Sequence, residues 1–166
     1  MQTRSDGLRT REHFETFVQT LESSGPRDAL AYILSLSDYR FIGIFRFQDG
    51  KATAAIHYDR KNPSVTRSDE VPDTATYCCF VRNGQGVFTT ANALEDARLD
   101  HHVARSAVQA YCGVPILDPD GQLLGTLCHY DAVPRNPETL DLELLLQVAS
   151  RLQQGGHVPP YPRAVG

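Results

Sequence analysis

The stretch from Tyr111 to Asp131 limits the fold more than any other part of this chain. It reads Tyr-Cys-Gly-Val-Pro-Ile-Leu, then Asp118-Pro119-Asp120-Gly121, then Gln-Leu-Leu-Gly-Thr-Leu-Cys-His-Tyr-Asp. Two apolar runs flank a turn segment whose residues act for separate reasons. Asp caps its own backbone, Pro presets φ, and Gly accepts positive φ. Strand-like runs joined by a short Gly-containing loop predict an antiparallel β-hairpin.

The rest of the chain fits a single domain around that hairpin. Its 166 residues are enough for a proper core. Hydrophobic residues make up 41% and charged residues 22%, ordinary values for a globular chain. No apolar run approaches the ~20 residues that span a bilayer. Met1 to Arg11 is polar, with no apolar signal core, so no export is expected. The formal net charge of −4 argues against nucleic acid as a partner, because phosphate binding needs a basic face. Cysteines stand at 78, 79, 112 and 128, without CxxC zinc spacing. Reduced thiols in a cytoplasm are the expectation, with no membrane contact.

Periodicity orders the elements. Phe14, Phe17, Val18 and Leu21 recur at helical spacing and predict a helix over 12–22. Pro26 suits the first turn of a second helix carrying Ala29, Leu30, Ile33, Leu34 and Leu36. Residues 40–47 and 52–58 read as a hairpin across Gln48-Asp49-Gly50-Lys51. The polar segment 59–73 reads as a loop over a pocket. A short helix is predicted over 74–81 with Asp73 as its N-cap, a short strand over 87–90, and another short helix over 101–107 capped by Asp100. Leu142, Leu145, Leu146, Val148, Ala149 and Leu152 predict a last helix over 141–153. Residues 1–11 are expected to be a flexible terminus, 12–153 the domain, and 154–166, rich in Pro and Gly, a disordered tail. The class is α+β, a central antiparallel sheet of five to six strands.

This order resembles a GAF domain from about residue 12 to 153. The Gly-Val-Pro-Ile and Leu-Gly-Thr-Leu-Cys segments match the family's wording most closely, and Cys78 to Asp96 matches its Cys…Asp-Ala region. The resemblance implies terminal helices on one sheet face, and short helices and loops closing a ligand pocket on the other. It also implies a homodimer through the terminal helices and signalling to a separate effector protein.

Strand alternation puts Leu124, Thr126, Cys128 and Tyr130 on one face of the last strand, and Leu123, Gly125, Leu127 and His129 on the other. Bilin-binding relatives in the family carry a ligand-contacting polar residue near the position of Tyr130. By that resemblance Thr126, Cys128 and Tyr130 face the pocket. Cys78 and Cys79 are either pocket thiols on a short helix or small buried residues. Tyr77 joins them as a ligand contact. His101 and His102 sit either at a pocket rim or at a solvated helix start. Asp96 and Asp100 bind ligand or cap turns, and Asp96 matches the family's Asp in that loop. Cys128 and His129 are neighbours in a strand and point to opposite faces, which argues against one shared metal ion. No metal site and no phosphate loop is read, and the sequence names no cofactor.

Four functions compete. The first is a small-molecule-sensing module that acts on a separate chain. The second is a thiol enzyme like the free methionine-(R)-sulfoxide reductases, although the four cysteines do not reproduce that pattern. The third is a haem or bilin sensor, and the fourth is a dimerisation domain. The binding module is preferred over the enzyme.

Overall fold

The computed structural model describes residues 4–48, 51–64, 71–72, 76–84 and 86–158. Helix α1 (Arg4–Ser24) buries Phe17 and Leu21 and half-buries Phe14 and Val18, the face that the spacing predicts. It begins at Arg4, inside the stretch expected to be a flexible terminus. Thr10, 3% exposed, donates from its hydroxyl to the Asp141 carboxylate and fastens that early turn to the far end of the chain. No proline interrupts residues 4–11, so the helix can extend once a tertiary contact holds it. Gly25 takes φ 95 and breaks the direction. Helix α2 (Pro26–Ser35) then starts on its proline and buries Ala29, Leu30, Ile33 and Leu34.

Strands β1 (Phe41–Gln48) and β2 (Lys51–Asp59) pair antiparallel, with a register shift between Ile44 and Phe45. The predicted tip at 49–50 lies outside the described residues. Within the predicted loop, Val71–Pro72 forms a two-residue strand, β3, on the outer edge of β2. Helix α3 (Cys78–Gly84) starts later than predicted. Asp73, its expected cap, lies outside the described residues. Strand β4 (Phe88–Thr90) precedes two 3-10 turns, Ala93–Glu95 and Ala97–Leu99.

The helix predicted over 101–107 is replaced by turns. The His102 Nδ1 accepts the Ala104 N–H at 3.1 Å, a local bond that competes with the helical ladder, and His101 sits at φ 68. Asp100, expected to cap that helix, closes the preceding 3-10 turn, its N–H donating to the Ala97 carbonyl.

Strands β5 (Ala110–Leu117) and β6 (Leu123–Asp131) form the hairpin read from the sequence. The Asp118 Oδ1 accepts the N–H groups of Asp120 (2.9 Å) and Gln122 (2.8 Å), and Gly121 supplies φ 81. The sheet order is β3-β2-β1-β6-β5-β4, six strands among the described residues, each neighbouring pair antiparallel.

Helix α4 (Leu142–Gln154) is capped by Asp141, which accepts the Leu144 N–H. Its buried face is Leu144, Leu145, Val148, Ala149 and Leu152. Leu142 and Leu146, expected on that face, are 37% and 44% exposed, because the true stripe is centred a residue away from them. The first residues of the stretch expected to be a disordered tail are ordered. His157 N–H donates to the Leu152 carbonyl, and Val158 joins the core at 6% exposure; residues 159–166 lie outside the described residues.

All three long helices pack on one face of the sheet. Phe17, Leu30, Ile33, Leu34, Leu145, Val148 and Leu152 meet Ile42, Ile44, Val114, Ile116 and Leu127 there. A second cluster, with Phe45, Tyr77, Val81, Phe88, Leu99 and Tyr111, covers the other face. No helix among the described residues is long and apolar enough to cross a membrane.

Candidate functional site

Register decides what stands on the face away from the long helices. Phe41 pairs with Tyr130, Gly43 with Cys128, and Phe45 with Thr126. On the other side of β6, Tyr111 pairs with Tyr130, Gly113 with Cys128, and Pro115 with Thr126. Cys128 therefore has a glycine as its cross-strand neighbour on both sides. A Cβ built on Gly113 would collide with the Tyr111 hydroxyl. Only a bare Cα lets the Tyr111 ring lie across that position and carry its oxygen to the sulfur of Cys128.

The result is a buried cluster of two thiols and two hydroxyls. Cys78, at the start of α3, places its Sγ 3.4 Å from that of Cys128. The Tyr111 hydroxyl lies 3.2 Å from the Cys78 Sγ and 2.9 Å from the Cys128 Sγ. Thr126 Oγ1 lies 3.2 Å from the first and 3.1 Å from the second. None of the four is more than 3% exposed.

Each hydroxyl has one hydrogen, and both are placed to donate to Cys78. Burial pushes the Cys78 thiol up, but hydrogen bonds from Cys128, Thr126, Tyr111 and Thr76 outweigh it and bring it down to about 7. Burial, together with Cys78 beside it, drives Cys128 well above the ordinary thiol range. Cys78 is thus the sulfur that gives up its proton first, and Cys128 the one that keeps its own.

Beside this cluster stands an aromatic wall. Tyr130 stacks on Phe41 with ring centroids 4.7 Å apart, and its hydroxyl bonds the His57 Nε2. His57 is 5% exposed and its Nδ1 has no partner. Burial lowers its pKa, which keeps the ring neutral at neutral pH. Tyr77 donates to the Val108 carbonyl at 2.7 Å, and the His102 ring is tilted against the Tyr77 ring with centroids 4.8 Å apart.

Of the residues singled out from the sequence, Tyr77, Cys78, Thr126, Cys128 and Tyr130 come together on this face, with the His102 ring tilted against Tyr77 at its edge. Cys79 is buried outside the cluster, its thiol pushed up by burial. Asp96 is committed to Arg98, which holds its carboxyl at about 2, and caps the second 3-10 turn. Asp100 is exposed. Cys112 and His129 face the long helices, so Cys128 and His129 diverge. No group of three His, Cys, Asp or Glu among the described residues is placed to hold a metal ion.

Sequence reading missed Tyr111 and His57. The pairing of the hairpin would have found the first, since a residue opposite Tyr130 shares its face. Nothing local marks the second, whose position depends on the β1–β2 register.

A cleft of about 740 Å³ lies on the helix side, lined by Arg9, Thr10, His13, His129 and Asp141 among others. The hollow expected from the sequence was on the reverse side. His129 is 1% exposed there, and neither ring nitrogen has a partner. Its own atoms are sealed from the cleft's open space, so it is a buried wall and not a contact surface.

Comparisons with known proteins agree on the architecture. The GAF domain of an Acinetobacter phosphoenolpyruvate-protein phosphotransferase superposes with a TM-score of 0.69 at 13% identity, covering 95% of this chain and 97% of that one. The free methionine-R-sulfoxide reductase of Neisseria meningitidis gives 0.69 at 15%, covering 95% and 93%. A cyclic di-GMP phosphodiesterase of Pseudomonas aeruginosa is 31% identical over 71 residues, which is 41% of this chain and only 12% of that protein. The family model of the GAF domain matches residues 14–154. With the antiparallel sheet, the helices on one face and that match over most of its length, the chain belongs to the GAF domain family.

Proposed function

We propose that this GAF domain is a small-molecule-sensing module. Its ligand lies against the sheet face that bears Phe41, His57 and Tyr130, and occupancy passes through α1 and α4 to a separate signalling chain. The observation that carries this reading is the buried His57, whose Nδ1 is unpartnered beside the Tyr130 hydroxyl. A buried polar atom left unsatisfied costs about 1–3 kcal/mol, which a ligand hydrogen bond would recover. Aromatic walls with a few polar groups are the usual make-up of a ligand site. Family membership, which typically goes with small-molecule sensing, supports the same reading.

Thermal shift and calorimetry against cyclic nucleotides, cyclic dinucleotides, amino acids, tetrapyrroles and aromatic acids test it. One chemical class should raise the Tm, and the rise should shrink in His57→Ala and Tyr130→Phe. A panel with no binder, or a binder indifferent to both substitutions, rejects it.

Output through the terminal helices is supported by apolar side chains left outside. Leu8 on α1 and Leu142 and Leu146 on α4 are 56%, 37% and 44% exposed. We propose that they form a homodimer face. Light scattering should give twice the chain mass, falling to one chain in Leu146→Glu. The four cysteines are free thiols, which fits a reducing cytoplasm.

The thiol cluster favours a second reading, a thiol enzyme of the kind named in the Neisseria structure. Turnover of free methionine-R-sulfoxide that disappears in Cys78→Ser would establish it. Burial of both sulfurs stands against it, since a catalytic thiolate must meet its substrate.

A further inference from the structure

We propose that Cys78 and Cys128 are an oxidation site: hydrogen peroxide converts the two thiols to a disulfide that ties α3 to β6. This goes beyond the sensing role and does not rest on it. The argument begins with distance. The sulfurs are 3.4 Å apart, and a disulfide needs about 2.05 Å. The gap closes with a shift of little more than an ångström. It falls on α3, a seven-residue helix whose buried side chains are Cys78, Cys79 and Val81. No other thiol competes in the cluster. Cys112 is across the sheet among the helix-facing residues, and Cys79 belongs to neither core cluster.

The surroundings set the order of events. Tyr111 and Thr126 both donate to Cys78 and so favour its thiolate, which is the nucleophile in thiol oxidation. The Cys78 sulfur attacks one peroxide oxygen. An S–O bond forms, the O–O bond breaks, and hydroxide leaves. That hydroxide takes the Cys128 proton and becomes water. The Cys128 thiolate then attacks the Cys78 sulfenic sulfur. The S–S bond forms and the S–O bond breaks, and the departing hydroxide takes up the proton that Cys78 released on ionising and becomes a second water. Two thiols and one peroxide give one disulfide and two waters, with two electrons passing from sulfur to oxygen. Burial selects the oxidant. Both sulfurs are at most 2% exposed, so a bulky disulfide such as oxidised glutathione is shut out while a molecule of near-water size enters through local opening of α3.

The test uses the full chain, reduced, desalted and exposed to excess hydrogen peroxide. It is then alkylated under denaturing conditions and weighed intact. The expected product is two hydrogens lighter than the reduced chain and takes up alkylating reagent at two cysteines only. The cross-link should survive Cys79→Ser and Cys112→Ser, and vanish in Cys78→Ser and Cys128→Ser. Dithiothreitol should reverse it, and oxidised glutathione should not produce it. Three results overturn the proposal. One is a cross-link that survives loss of Cys78 or Cys128. Another is addition of oxygen atoms without any cross-link. The third is four free thiols after a peroxide dose that fully oxidises the unfolded chain. Loss of every small-molecule binder would leave these outcomes unchanged, so the two readings fail separately.

Discussion

The two faces of the sheet are built from the same strands and do different work. On the helix face, neighbouring strands present Ile42, Ile44, Val114, Ile116 and Leu127 to Phe17, Leu30, Ile33 and Leu145, all interchangeable in chemistry and fixed by shape. On the reverse face the same strands present Thr126, Cys128, Tyr111, His57 and Tyr130, held by directed hydrogen bonds. The contrast teaches where specificity sits. Burial of apolar area sets the stability of one face, while geometry and proton position set the behaviour of the other. Substitutions one residue apart in β6 should therefore have unlike effects.

His129 is the exception to that division, and it gives the largest expected effect. It is an imidazole among the helix-facing residues, and burial, with Arg60 adding to it, lowers its pKa to about 3 from 6.5. Between those values the unfolded chain binds a proton that the folded chain refuses. Stability from this residue is complete above 6.5 and falls as the pH drops towards 3, at about 1.4 kcal/mol per pH unit. Urea midpoints across that range measure the slope. His129→Phe keeps a ring against Tyr39 and should flatten the acid limb by about that slope. An unchanged limb would mean that water reaches the ring and that the helix face is less dry than its packing shows.

Next in size is a pair of neighbours. Leu127→Ala should cost about 3 kcal/mol, as for a large side chain lost from a closed core. Cys128→Ala, equally buried, should cost about 1 kcal/mol, because it removes a small sulfur and one member of a network whose other members stay paired. Equal costs by chemical denaturation would erase the distinction between the faces.

A smaller effect lies at the edge of the reverse face. Arg40 reaches both carboxylate oxygens of Asp59 at 2.9 Å, and that bond holds the Asp59 pKa at about 2 against 3.8. A depressed carboxylate stabilises the fold above the unfolded pKa and loses its contribution as the pH falls from about 4 to about 2. Asp59→Asn should cost about 1–2 kcal/mol at neutral pH and nothing below that window, allowing for the partly exposed Arg40. A cost that persists at low pH would assign Asp59 to turn hydrogen bonding, through Lys61 and Asn62, and not to charge.

The sequence spoke clearly about one face and poorly about the other, for a physical reason. Helix-face positions repeat with a fixed period, so the spacing of Phe17, Leu21, Leu30, Ile33 and Leu145 is enough to mark them as core. The hairpin is equally legible, because the turn chemistry of Asp118 and Gly121 is local. Two terminal misreadings came from contacts that no window contains. Thr10 finds Asp141 at a separation of 131 residues, and Val158 finds the core. The helix expected over 101–107 failed because the His102 ring, and not its propensity, decides the Ala104 N–H. The thiol cluster is only half legible. Alternation places Thr126 and Cys128 on one face, but the approach of Cys78 and the lie of Tyr111 across Gly113 depend on tertiary packing.

An equally small predicted change in stability falls on another member of that cluster and is the most informative about it. Tyr111→Phe keeps the ring and its packing against Tyr77 and Phe88 while deleting one oxygen. The loss should be about 1 kcal/mol, the worth of a typical buried hydrogen bond. The effect on proton position should be easier to see. With one donor gone, the Cys78 thiol rises above its value of about 7, and the ultraviolet absorbance of the thiolate appears at higher pH. Gly113→Ala is the independent check. Its new Cβ would stand where the Tyr111 hydroxyl now lies, so the phenol must swing away and the thiol should rise although the oxygen is still present. If Gly113→Ala shifts the titration and Tyr111→Phe does not, backbone displacement governs the sulfur. If both shift it in the same direction, the phenol does.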